Sequence, residues 1–459
     1  MKVPLNPPET VKIFQKIAES EKDTFEALLS CGITDSRGRY LHWDQLRHRE
    51  PPQKLTSEEW WLGTKMARKR SYKNMNLKGK DKTPFVFTTP DFVLKELHWL
   101  DQNTAGSLFA DRPINDIINP HLKNTYLIRS LVEEAIKSSQ LEGAATTVKV
   151  AKEMIRQGRK PQDKSEQMIL NNFHAMQFIR ECRKDPLTPS MVLELHQILT
   201  EKTLDTPDDA GKYRIATDDV HVVDGVGDVL YTPPDAKELP ERMERLCDFA
   251  NSHVSDMFIH PVIKAILLHF TLAFDHPFVD GNGRTARALF YWSMSSQGYW
   301  LMEFISISRI LKQAPAKYGK AFLYTETDEN DTTYFIIHQL KVIRKAINEL
   351  KIFLNKKVQD LKTAEELLKG AENLRAKLNY RQLALLRHAF KSPGFIYRIN
   401  EHQQSHGVVY QTARNDLLEM SDKFRLLDKV KEGRSFIFIS PQNLIERIEN
   451  AKKQLRNSS

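Results

Sequence analysis

The sequence predicts a mainly helical protein, with a large helical core carrying one β-hairpin and a small α+β unit near the C-terminal end. Two observations carry that expectation. Apolar residues recur at three- and four-residue spacing in successive segments from Asn124 to Leu361, the pattern of amphipathic helices. Two β-branched runs then break the helical pattern around a glycine-containing turn between Lys212 and Pro234, and Phe436-Ile437-Phe438-Ile439 forms a second strand signal.

The chain has 459 residues, which at roughly 100–200 residues per domain implies more than one core. With 41% hydrophobic and 28% charged residues and only 18 Gly and 21 Pro, it is neither collagen-like nor largely disordered. Cys31, Cys182 and Cys247 are far apart in sequence, cannot all pair and have no metal-ligand spacing, so a reducing compartment is expected. No apolar run reaches the roughly 18 residues of a membrane span, and Met1 to Glu9 lack the apolar stretch of a signal peptide, so no membrane partner and a cytoplasmic location are expected. The net charge of +9 is a mild bias toward polyanionic partners at this length.

Residues 1–110 carry short helical patterns broken at Pro51-Pro52, followed by a basic stretch from Arg68 to Lys82 with seven Lys or Arg and one acid, Asp81. That stretch reads as a solvated loop, and the role of 1–110 stays open. The main helical core is expected over 111–345. Its first helix spans 124–143, with Leu127, Leu131, Ala135, Ser138, Ser139 and Glu142 at helical spacing and Gly143 as its stop. Helices follow at about 165–183 and 188–201. Val220, Val222 and Val223, then Asp224-Gly225, then Val229, Leu230 and Tyr231 form the hairpin, and helices resume at 237–251, 260–274 and 285–297. Ile343, Ile347, Leu350, Leu354, Val358 and Leu361 continue into a connecting helix over 346–378, read as a packed connector or a homodimer contact. In 379–440, helices at Tyr380–Phe390, after Arg398 and at Gln411–Ser421, then a hairpin through Gly433, give the order of a winged helix, with 441–459 as a tail. Gln411, Thr412, Arg414 and Asn415 are residue types that reach bases or phosphates, so DNA is a candidate partner of this unit; protein contact is the alternative.

One stretch concentrates chemistry: His276-Pro277-Phe278-Val279-Asp280-Gly281-Asn282-Gly283-Arg284-Thr285-Ala286-Arg287. Gly281-Asn282-Gly283 opens a helix, so backbone N–H groups at its N-terminus form a ready anion site. Arg284 and Arg287, three apart, can bracket phosphate oxygens. Asp280 suits a hard cation such as Mg²⁺, which takes one or two carboxylates plus substrate phosphates. His276, with an ordinary pKa of ~6.5, suits proton abstraction near neutrality. Together these residues read as a site for phosphoryl or nucleotidyl transfer.

The stretch resembles the signature of the Fic family, His-x-Phe-x-(Asp/Glu)-Gly-Asn-Gly-Arg-x-x-Arg, at every fixed position. Gly211-Lys212-Tyr213-Arg214, Tyr231-Thr232-Pro233-Pro234, Ser308-Arg309 and Tyr318 resemble the family as well, and the likeness covers roughly 110–345. It implies a helical core with a β-hairpin flap, ATP as substrate and transfer of AMP to a protein Ser, Thr or Tyr hydroxyl. His276 would be the general base and Asp280 would hold Mg²⁺. Gly281, Asn282 and Gly283 would form the anion hole, Arg284 and Arg287 would bind the outer phosphates, and Leu230 and Tyr231 of the flap would border the nucleotide. Ser138-Ser139-Gln140-Leu141-Glu142-Gly143 fits the family's inhibitory pattern, (Ser/Thr)-x-x-x-Glu-(Gly/Asn), in which the glutamate pairs with the second arginine, here Arg287. The expected partners are an unidentified target protein and the chain itself through self-modification. Two further readings stand beside this one: removal of AMP from a modified protein by the same residues, with Glu142 orienting water and Asp280 the metal, and, from another class, a DNA-binding regulator whose core only senses a nucleotide.

Overall fold

The computed structural model describes residues 3–19, 24–104, 120–223, 227–252, 257–369, 372–432 and 435–456. The chain divides into two compact units, Met1–Leu350 and Lys351–Ser459.

At the centre of the first unit lies the helix Pro261–Asp275, buried at every position from Val262 to Leu272. A helix apolar on all sides belongs in a core. It packs against Asn282–Ser296, itself buried from Arg284 to Met294. Around this pair stand Pro120–Leu141, Lys164–Glu181, Pro189–Thr200 and Leu239–Asn251. Their boundaries follow local chemistry. Thr188 accepts the Met191 N–H at 3.2 Å and Pro189 occupies the first turn, where its missing N–H costs nothing. The expected hairpin appears as Val222–Val223 paired antiparallel with Val229–Tyr231; its turn, Asp224-Gly225, lies outside the described residues.

The basic stretch 68–82 is not a solvated loop. Arg68 ends the helix Ser57–Ser71, and Lys73–Lys78 pairs with Pro84–Phe87 as a hairpin. Its inner residues Met75, Leu77, Phe85 and Phe87 join the central core, where Phe85 sets its ring at 90° to Phe270 and Phe274. The first unit's core therefore includes part of 1–110. Arg68 is fully buried and donates to the Ile33 and Leu41 carbonyls and the Tyr334 hydroxyl, while Lys65 meets Asp328 at 2.7 Å. Two of the partners that stabilise these cations inside, Asp328 and Tyr334, lie more than 250 residues away.

The second unit has its own core, including Leu386, Leu417, Phe438 and Ile448. Helices Tyr380–Lys391, Ile399–His406 and Tyr410–Leu418 precede the hairpin Asp428–Glu432 with Ser435–Ile439, and Ile396–Tyr397 adds a third antiparallel strand beside Ser435–Ile439. Asn379 and Gln382 close a reciprocal capping box at the first of these helices. Two expected boundaries shift. The helix Thr333–Lys369 crosses from one unit into the next, and 441–459 carries the helix Leu444–Arg456, whose Leu444 and Ile448 are buried.

Candidate active site

His276 ends the helix Pro261–Asp275 in the left-handed conformation, φ 47° and ψ 58°. That backbone is strained for a non-glycine residue and collects at functional sites. Three bonds hold it. Its N–H reaches the Leu272 carbonyl at 3.0 Å, its Nδ1 meets the Ala273 carbonyl at 3.2 Å, and its own carbonyl accepts from Arg214 Nε at 2.8 Å. Because a carbonyl only accepts, Nδ1 carries the proton, and Nε2 is the basic nitrogen of the neutral ring. Burial lowers the imidazole's pKa below its ordinary value, which keeps that nitrogen unprotonated near neutrality.

The loop after His276 is braced from within by Asn282, whose amide accepts the Phe278 N–H at 2.9 Å and donates to the Phe278 carbonyl at 2.7 Å. Gly281 takes φ 84°, and a Cβ there would stand 2.9 Å from Thr200 Cγ2, so conformation and space both require glycine. Asp280 projects outward with its side chain 52% exposed; one oxygen accepts the Gly281 N–H and the other lies 3.3 Å from Arg284. This single accessible carboxylate fits a cation whose other ligands are phosphate oxygens and water. Among the described residues no three His, Cys, Asp or Glu side chains cluster to hold an ion by themselves.

Asn282–Ser296 begins at this loop, and the N–H groups of a helix's first turn have no partners within it. Over that end stands Glu142. A Cβ on Gly283 would lie 2.2 Å from Glu142 Oε1, so the carboxylate occupies the space the bare glycine leaves open. The same oxygen accepts from Arg287 Nη2 at 2.8 Å, and Arg287 also donates to Ser138 Oγ at 2.9 Å and to the Ser138 carbonyl at 3.2 Å. Burial opposes the Arg287 charge, but Glu142, Tyr318 and Glu134 together outweigh it and the guanidinium's pKa rises. Glu142 stands one residue beyond the helix Pro120–Leu141, in the turn closed by Gly143. That helix is tied down two turns earlier by Glu134, a buried carboxyl bonded by the Ser306 and Ser308 hydroxyls and the Ser308 N–H.

Arg284 has different partners: it donates to the Leu199 carbonyl at 3.0 Å and reaches Asp280, and burial lowers its pKa. The two arginines thus serve separate anchor points. On the hairpin, Tyr231 packs on Phe274 with ring centres 4.8 Å apart, its hydroxyl buried and without a partner among the described residues; Leu230 beside it is half-buried. Two residues outside the expected set complete the constellation. Arg214 bonds the His276 and Pro234 carbonyls, fastening the loop to the end of the hairpin. His196, fully buried on Pro189–Thr200, contacts the Asp280 carbonyl and the Gly211 N–H, and burial lowers its pKa to about 4. The tetrad Gly211 to Arg214 signalled the first of these; nothing in a Leu-His-Gln-Ile-Leu helix segment signalled the second.

Residues 186–294, spanning Pro189–Thr200 through most of Asn282–Ser296, match the Fic/DOC family. The chain is similar to protein adenylyltransferase Fic of Drosophila willistoni, 31% identical over 209 residues that cover 44% of this chain and 39% of the relative. It is also similar to protein adenylyltransferase fic-1 of Caenorhabditis elegans, 26% identical over 221 residues, 47% of this chain and 40% of that one. The chain therefore spans about two fifths of the length of these curated relatives. Among solved structures it is similar to a Fic family protein from Desulfovibrio desulfuricans, with TM-score 0.46 and 19% identity, over 75% of this chain and 94% of that one. The matched residues are those that build the braced loop, the glycine-opened helix and Arg287, and residues 186–294 form a Fic/DOC family segment of the chain.

Proposed function

We propose that the chain is a protein adenylyltransferase, moving AMP from ATP to a Ser, Thr or Tyr hydroxyl of a target protein, and that Glu142 restrains it. One observation carries this reading: the basic Nε2 of His276, the exposed Asp280 carboxylate and the open helix end at Gly283 all belong to one braced turn. His276 Nε2 takes the proton from the target hydroxyl as its oxygen attacks the α-phosphorus. The new bond is phosphate to target oxygen, the broken one is the α–β phosphoanhydride, and pyrophosphate leaves. The N–H groups of the Asn282–Ser296 first turn meet the charge that builds on the phosphate oxygens, from positions already fixed before the reaction. Mg²⁺, held by Asp280 and the nucleotide's own phosphates, supplies further charge neutralisation when bound. Arg287 is the cation for the outer phosphates, and Glu142 competes for it.

The test is incubation of the full chain with labelled ATP, GTP, UTP and CTP followed by intact mass. Mass gain with ATP, lost on His276→Ala, supports the reading; no gain with any nucleotide in both the parent and the Glu142→Gly variant removes it. AMP release from a pre-modified target, read in parallel, decides for the hydrolytic alternative.

For the second unit we propose a winged helix, supported by its order of helices and strands. Five of its cations already pair with carboxylates, in Arg381–Asp416, Arg398–Glu432, Lys423–Glu419, Lys429–Asp422 and Arg447–Asp428, which reduces the charge free to meet a DNA backbone. That favours a protein contact. A mobility shift of the full chain at two salt concentrations tests it, because phosphate contacts give a steep salt dependence.

A further inference from the structure

We infer that His196 is a positioning residue for nucleotide transfer: a neutral strut that sets the Asp280–Gly281 peptide and, through it, the phosphate-facing end of Asn282–Ser296. The inference rests on the proposed adenylyl-transfer activity, and the geometry behind it is specific. His196 stands on a different helix, Pro189–Thr200, and its ring bridges two loops. Nε2–H donates to the Asp280 carbonyl at 2.9 Å, and Nδ1 accepts the Gly211 N–H at 3.0 Å. A carbonyl can only accept and an amide N–H can only donate, so these two partners select one tautomer of the neutral ring.

The ring is held flat as well as pinned at both nitrogens. It stacks on Phe278 with centroids 3.7 Å apart and planes 8° from parallel, and Tyr213 lies on Phe278 in turn, 6.2 Å away. A Cβ at Gly281 would stand 3.3 Å from the His196 Cδ2 and Nε2 atoms, which places the imidazole directly beneath the glycine turn. Asp280 therefore has its carboxylate outward and its carbonyl anchored inward. Rotating that peptide would move the carboxylate and re-aim the first N–H groups of the helix together. On the far side, Arg214 N–H donates to the Pro277 carbonyl at 2.9 Å and its Nε to the His276 carbonyl at 2.8 Å, so 211–214 grips the loop at three points, one of them through His196.

Gln is the conservative replacement, because its amide carries one donor and one acceptor at nearly the spacing of the two ring nitrogens; Leu removes both. In the Glu142→Gly background, His196→Leu is expected to lower kcat for AMP transfer by about 10- to 100-fold, the scale of a misplaced reacting group, with a smaller change in KM for ATP. His196→Gln is expected to recover most of the loss. Amide hydrogen exchange over 278–285 of the full chain, read without nucleotide, is expected to quicken in the Leu variant and match the parent in the Gln variant. Equal kcat per folded molecule in all three, or unchanged exchange over 278–285, would overturn the inference. Should the Leu variant fail to fold, nitrogen-labelled histidine in the parent still decides: at pH 7 the His196 signal, identified by its absence from the Gln variant, must carry its proton on Nε2, and a proton on Nδ1 refutes the bridge. If no variant transfers AMP, Glu142→Gly included, the activity reading fails, while the exchange and tautomer results still decide the role of His196 in setting the loop.

Discussion

Replacing Glu142 by Gly should release transfer, and the structure sets the size of the effect. Arg287 is 1% exposed and donates to the Ser138 hydroxyl and carbonyl and to the Glu142 carboxylate, the last at 2.8 Å. The substitution removes only the last, a charge-assisted hydrogen bond of about 1.5–3 kcal/mol. Glu142 is 30% exposed, so solvent screening puts the effect in the lower half of that range, a rate gain of roughly 10- to 40-fold. Space adds to charge: the carboxylate oxygen stands 2.2 Å from the Cβ position of Gly283, where an incoming phosphate must approach the helix end. The assay is the initial rate of AMP incorporation from labelled ATP in the parent, in Glu142→Gly and in Glu142→Gly with Arg287→Ala. The double variant should lose the gain, since the liberated group is absent. Equal rates in the parent and in Glu142→Gly, or a double variant that keeps the gain, would refute the pairing as the restraint.

Three further outcomes are expected. His276→Ala in the released background should cost about 10²–10⁴-fold in rate while calorimetric ATP affinity holds; the parent base, whose pKa burial lowers, should give a rate that is flat at neutrality and falls as the ring protonates at acid pH, so a rate still climbing from pH 7 to 9 would count against it. Gly283→Ala should abolish transfer with or without Glu142, because the methyl group fills the approach to the helix end and would lie 3.0 Å from Arg287 Nη1; activity in the double variant equal to that of Glu142→Gly would show that phosphate does not use this space. Asp328→Asn should destabilise the first unit by about 3–5 kcal/mol by taking the buried carboxylate from both Lys65 and Arg68 and leaving Lys65, 2% exposed, with the half-exposed Glu329 as its ion-pair partner, and a denaturant midpoint near the parent's would contradict this.

The sequence made the site's local parts legible because they are contiguous. His276 to Arg287 lie within one turn and one helix start, so glycine spacing and residue type could be read directly, and the helix expected over 188–201 appears as Pro189–Thr200. What depended on distant partners was not legible. Arg68 looks solvated in a run of seven cations, yet it is buried because carbonyls at 33 and 41 and a hydroxyl at 334 converge on it. His196 sits at an inward position of an ordinary amphipathic helix, and only the fold brings residues 211 and 280 to its two nitrogens. From sequence 441–459 reads as a tail, because a polar surface of Glu, Lys and Asn hides the spacing of Leu444, Ile448 and Ala451 in the helix Leu444–Arg456.

The bond from Arg287 to the Ser138 carbonyl has its own consequence. Ser138 is among the last four residues of Pro120–Leu141, whose carbonyls have no partner further along the helix. The aligned peptide dipoles of a helix place about half an elementary negative charge at that end. Arg287 thus caps the negative end of one helix while standing beside the positive end of another, Asn282–Ser296. An arriving triphosphate competes for the guanidinium with this fixed partial charge as well as with Glu142, and no side-chain substitution removes it. A chain lacking Glu142 is therefore expected to turn over faster yet hold the outer phosphates below full strength, and the strongest polyanion binding requires the end of Pro120–Leu141 to draw back from Arg287.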